Sequence, residues 1–413
     1  MGTFVNVELM MLLAFCSYCF LSYVLLKSPF HWHQYPMMTF RAQNVAHRAG
    51  GGEAHENTLN AVLRFCTWKD DISKSIFNIY RSACNGADMV ELDCQLTADG
   101  KVVVAHEDYL LRVAGVNEYI SNLPYKKLPV MKKQVESETD PGKVADREEK
   151  IAKTILEVKS PETQNVEERR IPLLEEIFQS LRYLPINIDI KQDDEILINE
   201  VSSNVTASQQ WALLLFKKVN RMVIEYEREE STVWGNEDEE ISKKLYALNP
   251  KVHLFFSAKR VIRLLFLFYT GLLPFVPMKE RFLEIPMLSA VSSYPEVRRK
   301  FGMFANLIMQ MGDALLLSPV LFDHLSRRKI HVFLWVLNKE EQFKRAFELG
   351  ATAVMTDYPT KLAEYLLHHP PKEPVEFPRL EAVAEGIEIA KKEVEAVAEG
   401  LEIAKKEVKS LCP

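Results

Sequence analysis

Several loops by which catalytic sites are usually recognised are missing from this sequence. It holds no GxxxxGK[ST] phosphate loop, no GxSxG elbow, no HExxH helix and no GxGxxG turn. Those absences argue in turn against P-loop nucleotidases, α/β-type serine hydrolases, zincin proteases and dinucleotide-binding folds. Cysteine is scarce, with six in 413 residues, so no disulfide framework holds the chain. Cys16 and Cys19 have CxxC spacing but lie in an apolar run, where a buried or lipidated thiol fits better than a redox pair. Cys66, Cys84, Cys94 and Cys412 are scattered, which favours a reducing compartment. A basic surface is lacking too. The formal charge is −6 with no concentrated Lys/Arg stripe, which argues against a nucleic-acid partner.

What the sequence does have begins with a long apolar run. Val7 to Leu26 spans about twenty residues with Glu8 as its only charge, the length needed to cross a bilayer as a helix. A cleaved signal peptide normally carries a basic residue ahead of a shorter run and small residues at the cut. Neither is present, so residues 1–28 read as a transmembrane anchor of an endomembrane such as the endoplasmic reticulum. Lys27, Arg41 and Arg48 follow the run and nothing basic precedes it, which puts the body of the protein in the cytosol. Use of the Asn204-Val205-Thr206 sequon would need the opposite, lumenal orientation.

Beyond the anchor, short β-like runs alternate with helix-like intervals, the pattern of a parallel α/β sheet. The runs are Asn44–His47, Met89–Cys94, Lys101–His106, Ile186–Ile190, Thr232–Trp234, His253–Ser257, Ala314–Ser318, His331–Leu337 and Ala353–Thr356. The length suits one (β/α)₈ TIM barrel with insertions over residues 43–369, and nine runs exceed its eight strands by one. Residues 132–170, about half charged and holding Asp140-Pro141-Gly142, read as a mobile surface insertion. Residues 261–278, nearly uncharged after Arg263 and interrupted by Gly271, Pro274 and Pro277, read either as a lip dipping into a membrane surface or as a buried core segment. Residues 379–410 contain a near-perfect tandem repeat, Glu381–Val394 and Glu395–Val408, differing only at Ile387 against Leu401. Its apolar spacing of four and three is that of a coiled-coil seam, open to self-association or to simple solvation.

Four polar clusters sit at or just past the C-terminal ends of candidate strands, where a TIM barrel places its active site. They are His47-Arg48 with Glu56-Asn57, Glu91 with Asp93, His106, and Asp189 with Lys191. Glu91 and Asp93 are two apart on a strand and therefore share a face. Between apolar neighbours such carboxylates repel unless a cation neutralises them. With Asp189 they form three hard oxygen donors, suited to Mg²⁺ or Ca²⁺ rather than zinc. His47 and His106 end strands, and two imidazoles facing one mouth can serve as base and acid near neutral pH. Singly, a strand-end histidine is more often structural and a Glu-x-Asp pair is commonplace. Four such clusters in succession point to a site.

These residues resemble the glycerophosphodiester phosphodiesterase domain family. The resemblance rests on His47-Arg48 followed by Glu56-Asn57-Thr58, Glu91-Leu92-Asp93, Val102 to His106, Asp189-Ile190-Lys191, Trp335 to Asn338 and Thr356-Asp357-Tyr358-Pro359. The anchor, Tyr269 to Pro277 and Asn338 to Pro359 are similar to the membrane-bound animal subgroup with lysophospholipase D activity. The resemblance implies a TIM barrel, a divalent cation (Mg²⁺ first, Ca²⁺ as the alternative), and release of an alcohol head group from a lysophospholipid to leave lysophosphatidic acid. By matching position it implies that Glu91, Asp93 and Asp189 hold the metal and that His47 and His106 are the catalytic acid and base. Arg48 and Lys191 would neutralise phosphate oxygens, Glu56 and Asn57 would orient the site, and Trp335 would line the substrate cleft. Two rivals stay open, a tethered hydrolase of soluble glycerophosphodiesters and an inactive membrane scaffold. Three departures stand out: Asp189 where the family has Glu, Ala49 where it has Gly, and the insertion at 132–170.

Overall fold

A computed structural model describes residues 2–29, 38–66, 86–132, 166–181, 184–191, 205–291, 299 and 302–370. The repeat at 379–410, the sequon at Asn204 and nearly all of the insertion at 132–170 lie outside the described residues.

Among the described residues nine strands form one sheet. They are β1 (Asn44–Ala46), β2 (Met89–Leu96), β3 (Val102–Val104), β4 (Ile186–Ile190), β5 (Thr232–Gly235), β6 (His253–Leu254), β7 (Phe282–Pro286), β8 (His331–Trp335) and β9 (Ala353–Thr356). Eight run parallel in the order β6-β5-β4-β2-β1-β9-β8-β7. A parallel bridge between Phe255 and Phe282 joins the two ends, with the Phe256 N–H donating to Phe282 O at 2.9 Å and the Arg281 N–H to Leu254 O at 2.8 Å. The sheet is thus a closed TIM barrel.

The surplus run is Val102–Val104, which pairs antiparallel with β2 outside the ring. Ala314–Ser318 is a correction, because it forms the end of a helix (Ala305–Leu316) and the two residues after it. The sixth barrel strand is instead Phe282–Pro286, which the sequence reading passed over. An apolar run of five cannot be told from part of a buried helix by periodicity, whereas Phe282–Pro286 carries Glu284 at its centre and ends on proline.

Alternation along the strands divides the core. Val45, Met89, Val233, Phe282, Phe333 and Ala353 pack inside the ring. Their neighbours Val90, Leu92, Cys94, Ile188 and Trp234 on one side, and Leu283, Ile285, Val332 and Val354 on the other, pack outward against helices. Phe282 lies at the barrel floor, stacked on His331 at 5.1 Å and edge-on to Phe333 at 5.3 Å, with Phe40 at 6.1 Å.

Helix α1 (Gly2–Lys27) is long and apolar enough over Leu9–Lys27 to cross a membrane, and a cluster of bonds ties its second half to the barrel. Tyr18 Oη donates to Thr270 O at 2.5 Å, Ser22 Oγ donates to Gly271 O at 2.7 Å, and the buried His324 Nδ1 lies 2.9 Å from Leu26 O. Gly271 has φ +75°, and a Cβ there would meet Ser22 Oγ at 2.8 Å, so only glycine lets the helix approach this closely. Residues 261–278 are divided between a helix, Ala258–Tyr269, and a 3-10 turn, Leu273–Phe275. Leu264 and Leu273 are buried while Ile262, Phe266 and Tyr269 are exposed, so the segment is neither wholly core nor wholly surface.

The floor packing carries a consequence for stability. Phe282→Ala is expected to cost about 3–5 kcal/mol, read as an earlier midpoint in denaturant unfolding of the detergent-solubilised chain. A loss below about 1 kcal/mol would show that the ring does not depend on this side chain.

Candidate active site

The chain leaves β1 through a 3-10 turn, His47–Ala49, in which Arg48 (φ 47°) and Ala49 (φ 60°) are both left-handed. That turn points the Arg48 N–H at Glu91 Oε2, 2.7 Å away. Ala49 takes this conformation under strain, where glycine would take it freely. Asn57, again left-handed at φ 57°, turns its amide onto Asp93 Oδ2 at 2.9 Å. Asparagine tolerates that region better than most residues.

On β2, the register that places Glu91 opposite Asn187 and Asp93 opposite Asp189 brings three carboxylates to adjacent positions at the mouth. Lys191 Nζ sits among them, 2.5 Å from Asp189 Oδ2 and 3.2 Å from Asp93 Oδ1. Arg48 Nε lies 3.9 Å from Asp93 Oδ2 and Arg48 Nη1 lies 3.6 Å from Glu56 Oε1. His106 follows β3, and the Ala105 N–H just before it donates to Asp93 O at 2.9 Å. The residues singled out from sequence, His47, Arg48, Glu56, Asn57, Glu91, Asp93, His106, Asp189 and Lys191, therefore gather in one place. Trp335 stands apart at the end of β8, two strands from β1 on the rim and 38% exposed.

The charges are unequal. Burial opposes ionisation of Asp93, but Lys191, His106, Arg48 and the Asn57 amide outweigh it and hold this carboxylate well below its ordinary range. Glu91 bears the cost, since burial and repulsion by Asp93 push its pKa up to about 7. Asp189 is raised by burial against the pull of Lys191. His47 is pushed down by burial, yet the charge and hydrogen bond of Asp357, helped by Glu91, more than reverse this and leave it above its ordinary value.

Asp357 is a site residue to which the sequence reading gave no role. Its Oδ1 lies 2.7 Å from His47 Nδ1, while Oδ2 accepts from Asn338 Nδ2 at 2.9 Å. Both residues stand within the stretches Trp335–Asn338 and Thr356–Pro359, so the signal was present without its meaning. Glu284 was also missed. Its Oε1 accepts from Asn187 Nδ2 at 2.8 Å, and burial, with Glu91 and Asp189 nearby, raises its pKa well above the ordinary range. Arg112 had no sequence signal at all, although its guanidinium grips Glu56 and its Nε lies 2.6 Å from Glu107 Oε1.

Among the described residues, no three Asp, Glu, His or Cys side chains converge closely enough to enclose an ion, and Lys191 bridges two of the carboxylates. The donor set nevertheless fits a hard cation. Asp189 Oδ1 is buried with no hydrogen-bond partner, which is costly unless a positive group meets it.

A model of the glycerophosphoryl diester phosphodiesterase family matches residues 69–361. The chain belongs to that family. As a glycerophosphoryl diester phosphodiesterase it is an enzyme of phosphodiester hydrolysis. The match begins after His47, Arg48, Glu56 and Asn57, which the barrel nonetheless brings to the matched residues. Human lysophospholipase D GDPD1 is 38% identical over 349 residues, 84% of this chain and 94% of that protein. Human lysophospholipase D GDPD3 is 32% identical over 357 residues, 86% and 94% of the two chains. A solved structure of a candidate glycerophosphoryl diester phosphodiesterase from Silicibacter pomeroyi DSS-3 is 14% identical. It superposes with a TM-score of 0.50, covering 83% of this chain and 97% of that one, and shares the fold.

Asp357 makes a directional prediction. In Asp357→Asn the largest influence raising His47 is gone while burial remains, so the His47 limb of the pH–rate profile moves to lower pH. If the acidic limb moves, His47 is the base; if the alkaline limb moves, it is the acid. A profile with both limbs unchanged would sink the pairing.

Proposed function

We propose that this phosphodiesterase is a lysophospholipase D. Water attacks the phosphorus of a lysophospholipid, the bond from phosphorus to the head-group oxygen breaks, and lysophosphatidic acid and a free alcohol such as choline are released. The observation that carries this reading is similarity, over 84–86% of this chain, to human proteins named lysophospholipase D, in a chain that gathers the polar site residues in one place. The exposed apolar residues of 261–278 support it, as a lip serves a lipid tail and is superfluous for a water-soluble diester.

In this reading His47 and His106 divide the proton work, one taking the proton from water and the other giving one to the leaving alcohol. Asp357 fixes the tautomer and orientation of His47. Arg48 and Lys191 neutralise phosphate oxygens as charge develops. Glu56 holds Arg48 and is held in turn by Arg112, Asn57 keeps Asp93 in place, and Trp335 lines the cleft. Glu91, Asp93 and Asp189 would hold a divalent cation, Mg²⁺ first and Ca²⁺ as the alternative. When bound, such a cation polarises a phosphoryl oxygen. We read α1 as the anchor, with the barrel in the cytosol at an endomembrane.

A second reading keeps the same chemistry on soluble glycerophosphodiesters. The deciding assay is choline release from lysophosphatidylcholine and from glycerophosphocholine with Mg²⁺, Ca²⁺ or EDTA. We expect metal-dependent turnover of the lipid that His47→Ala lowers about 10²–10⁴-fold. Turnover of the soluble diester alone would select the second reading. The cytosolic orientation predicts no mobility shift on endoglycosidase treatment of the chain made in cells, whereas a shift that Asn204→Gln removes would invert the topology.

A further inference from the structure

One helix of the barrel has an apolar surface that the reaction does not use. The helix Ala305–Leu316, reading ANLIMQMGDALL, follows β7. Leu307, Ile308, Met311 and Leu315 on it and Phe304 just before it are 41–61% exposed. Its single ionisable residue, Asp313, is turned inward, 1% exposed. There it accepts from the Leu288 N–H at 2.7 Å and meets Arg345 Nη2 at 3.2 Å. The helix thus presents no charge to its surroundings, although a water-facing helix normally carries its charges outward.

Its position links two regions. Leu288 and Ser289, which Asp313 holds, come directly after the C-terminal end of β7, and the Met287 N–H donates to Trp335 O at 3.3 Å. The helix therefore stands on the mouth rim beside Trp335. Two residues beyond Asp313, in the same last turn, Leu315 O accepts from Tyr269 Oη at 2.8 Å. Tyr269 closes the helix Ala258–Tyr269, and the next two residues, Thr270 and Gly271, accept from Tyr18 and Ser22 of α1. An exposed apolar surface accordingly runs from α1 through Phe266 and Tyr269 to the rim.

We propose that the helix Ala305–Leu316 is a membrane-seated face of the enzyme, lying in the phospholipid surface of the bilayer that holds α1 and carrying the barrel mouth to that surface. Continuity selects this occupant. The surface is joined by hydrogen bonds to a helix long and apolar enough to span a bilayer, so whatever covers Leu307 and Met311 lies beside that membrane. Exposed apolar groups on a soluble protein seldom form so extended a patch without a partner, and an uncharged helix offers a protein partner little to recognise. Seated this way, the helix would let a single-chain lipid pass from the bilayer to the rim at Trp335 without its tail crossing water. This use of the helix rests on the lysophospholipid reading above, while the membrane seat itself does not.

The test takes the full chain reconstituted in phosphatidylcholine vesicles. Tryptophan is introduced at Ile308 (Ile308→Trp) and, as a control, at the exposed Leu367 on the helix after β9 (Leu367→Trp). Each is compared with the parent for quenching by brominated acyl chains. Quenching at 308 and none at 367 is expected. No added quenching at 308 would overturn the proposal, as would protection from acrylamide without quenching by brominated lipid, which would mean that a second copy covers the helix. The role in catalysis is read separately with Leu307→Asp/Met311→Asp. Its KM for lysophosphatidylcholine in vesicles should rise about tenfold or more, while glycerophosphocholine turnover stays at the parent value. Equal loss on both substrates would reduce the helix to a structural part. Quenching at 308 in a parent enzyme that does not turn over the lipid would leave the membrane face standing and remove the lysophospholipid reading.

Discussion

A buried carboxylate that keeps its charge governs the site. Asp93 is 2% exposed and would be costly unpaired, so the elements around it are arranged to supply positive charge and N–H groups. Lys191 reaches it from the strand end beside β2, Arg48 from the turn after β1, and Asn57 from the loop that follows. Two of these three residues stand in the left-handed region. A conformation of that kind costs about 1–3 kcal/mol and persists where the surroundings over-determine it. The Asn57 N–H bond to Arg48 O at 2.8 Å closes the loop on itself, so both side chains are aimed by one short piece of backbone. Glu91, which repels Asp93, is pushed towards neutrality by that repulsion and by burial.

Much of this could be read from residues alone, and the reason is geometric. Period-two alternation places Glu91 and Asp93 on one face whatever the rest of the chain does, and strand ends in a parallel barrel lie at one mouth. The parts that could not be read are those set by distance along the chain. His47 is oriented by a residue 310 positions away, and no local pattern announces such a partner. Arg112 reaches Glu56 from a short helix, Leu111–Ala114, with no motif of its own. β7 escaped notice because Glu284, which looks like a surface residue in the string, points into a barrel interior that the string does not display.

The two departures in the motif find local explanations. Ala49 is fully buried at φ 60°, so the turn keeps the shape that glycine would give it and stores some strain. Asp189 has a shorter arm than glutamate, and Lys191 two residues on closes against it at 2.5 Å. The position stays acidic, with the neighbouring ammonium in direct contact.

The hydrogen bonds from Tyr18, Ser22 and His324 make α1 something other than a leash. A tether would let the barrel swivel, whereas a helix fastened at several points along its second half, and admitted closely by the bare backbone of Gly271, turns with the barrel as one lever. With α1 read as the anchor we propose, any tilt of that helix is transmitted to the mouth, so bilayer thickness and curvature become mechanical inputs to which way the site faces.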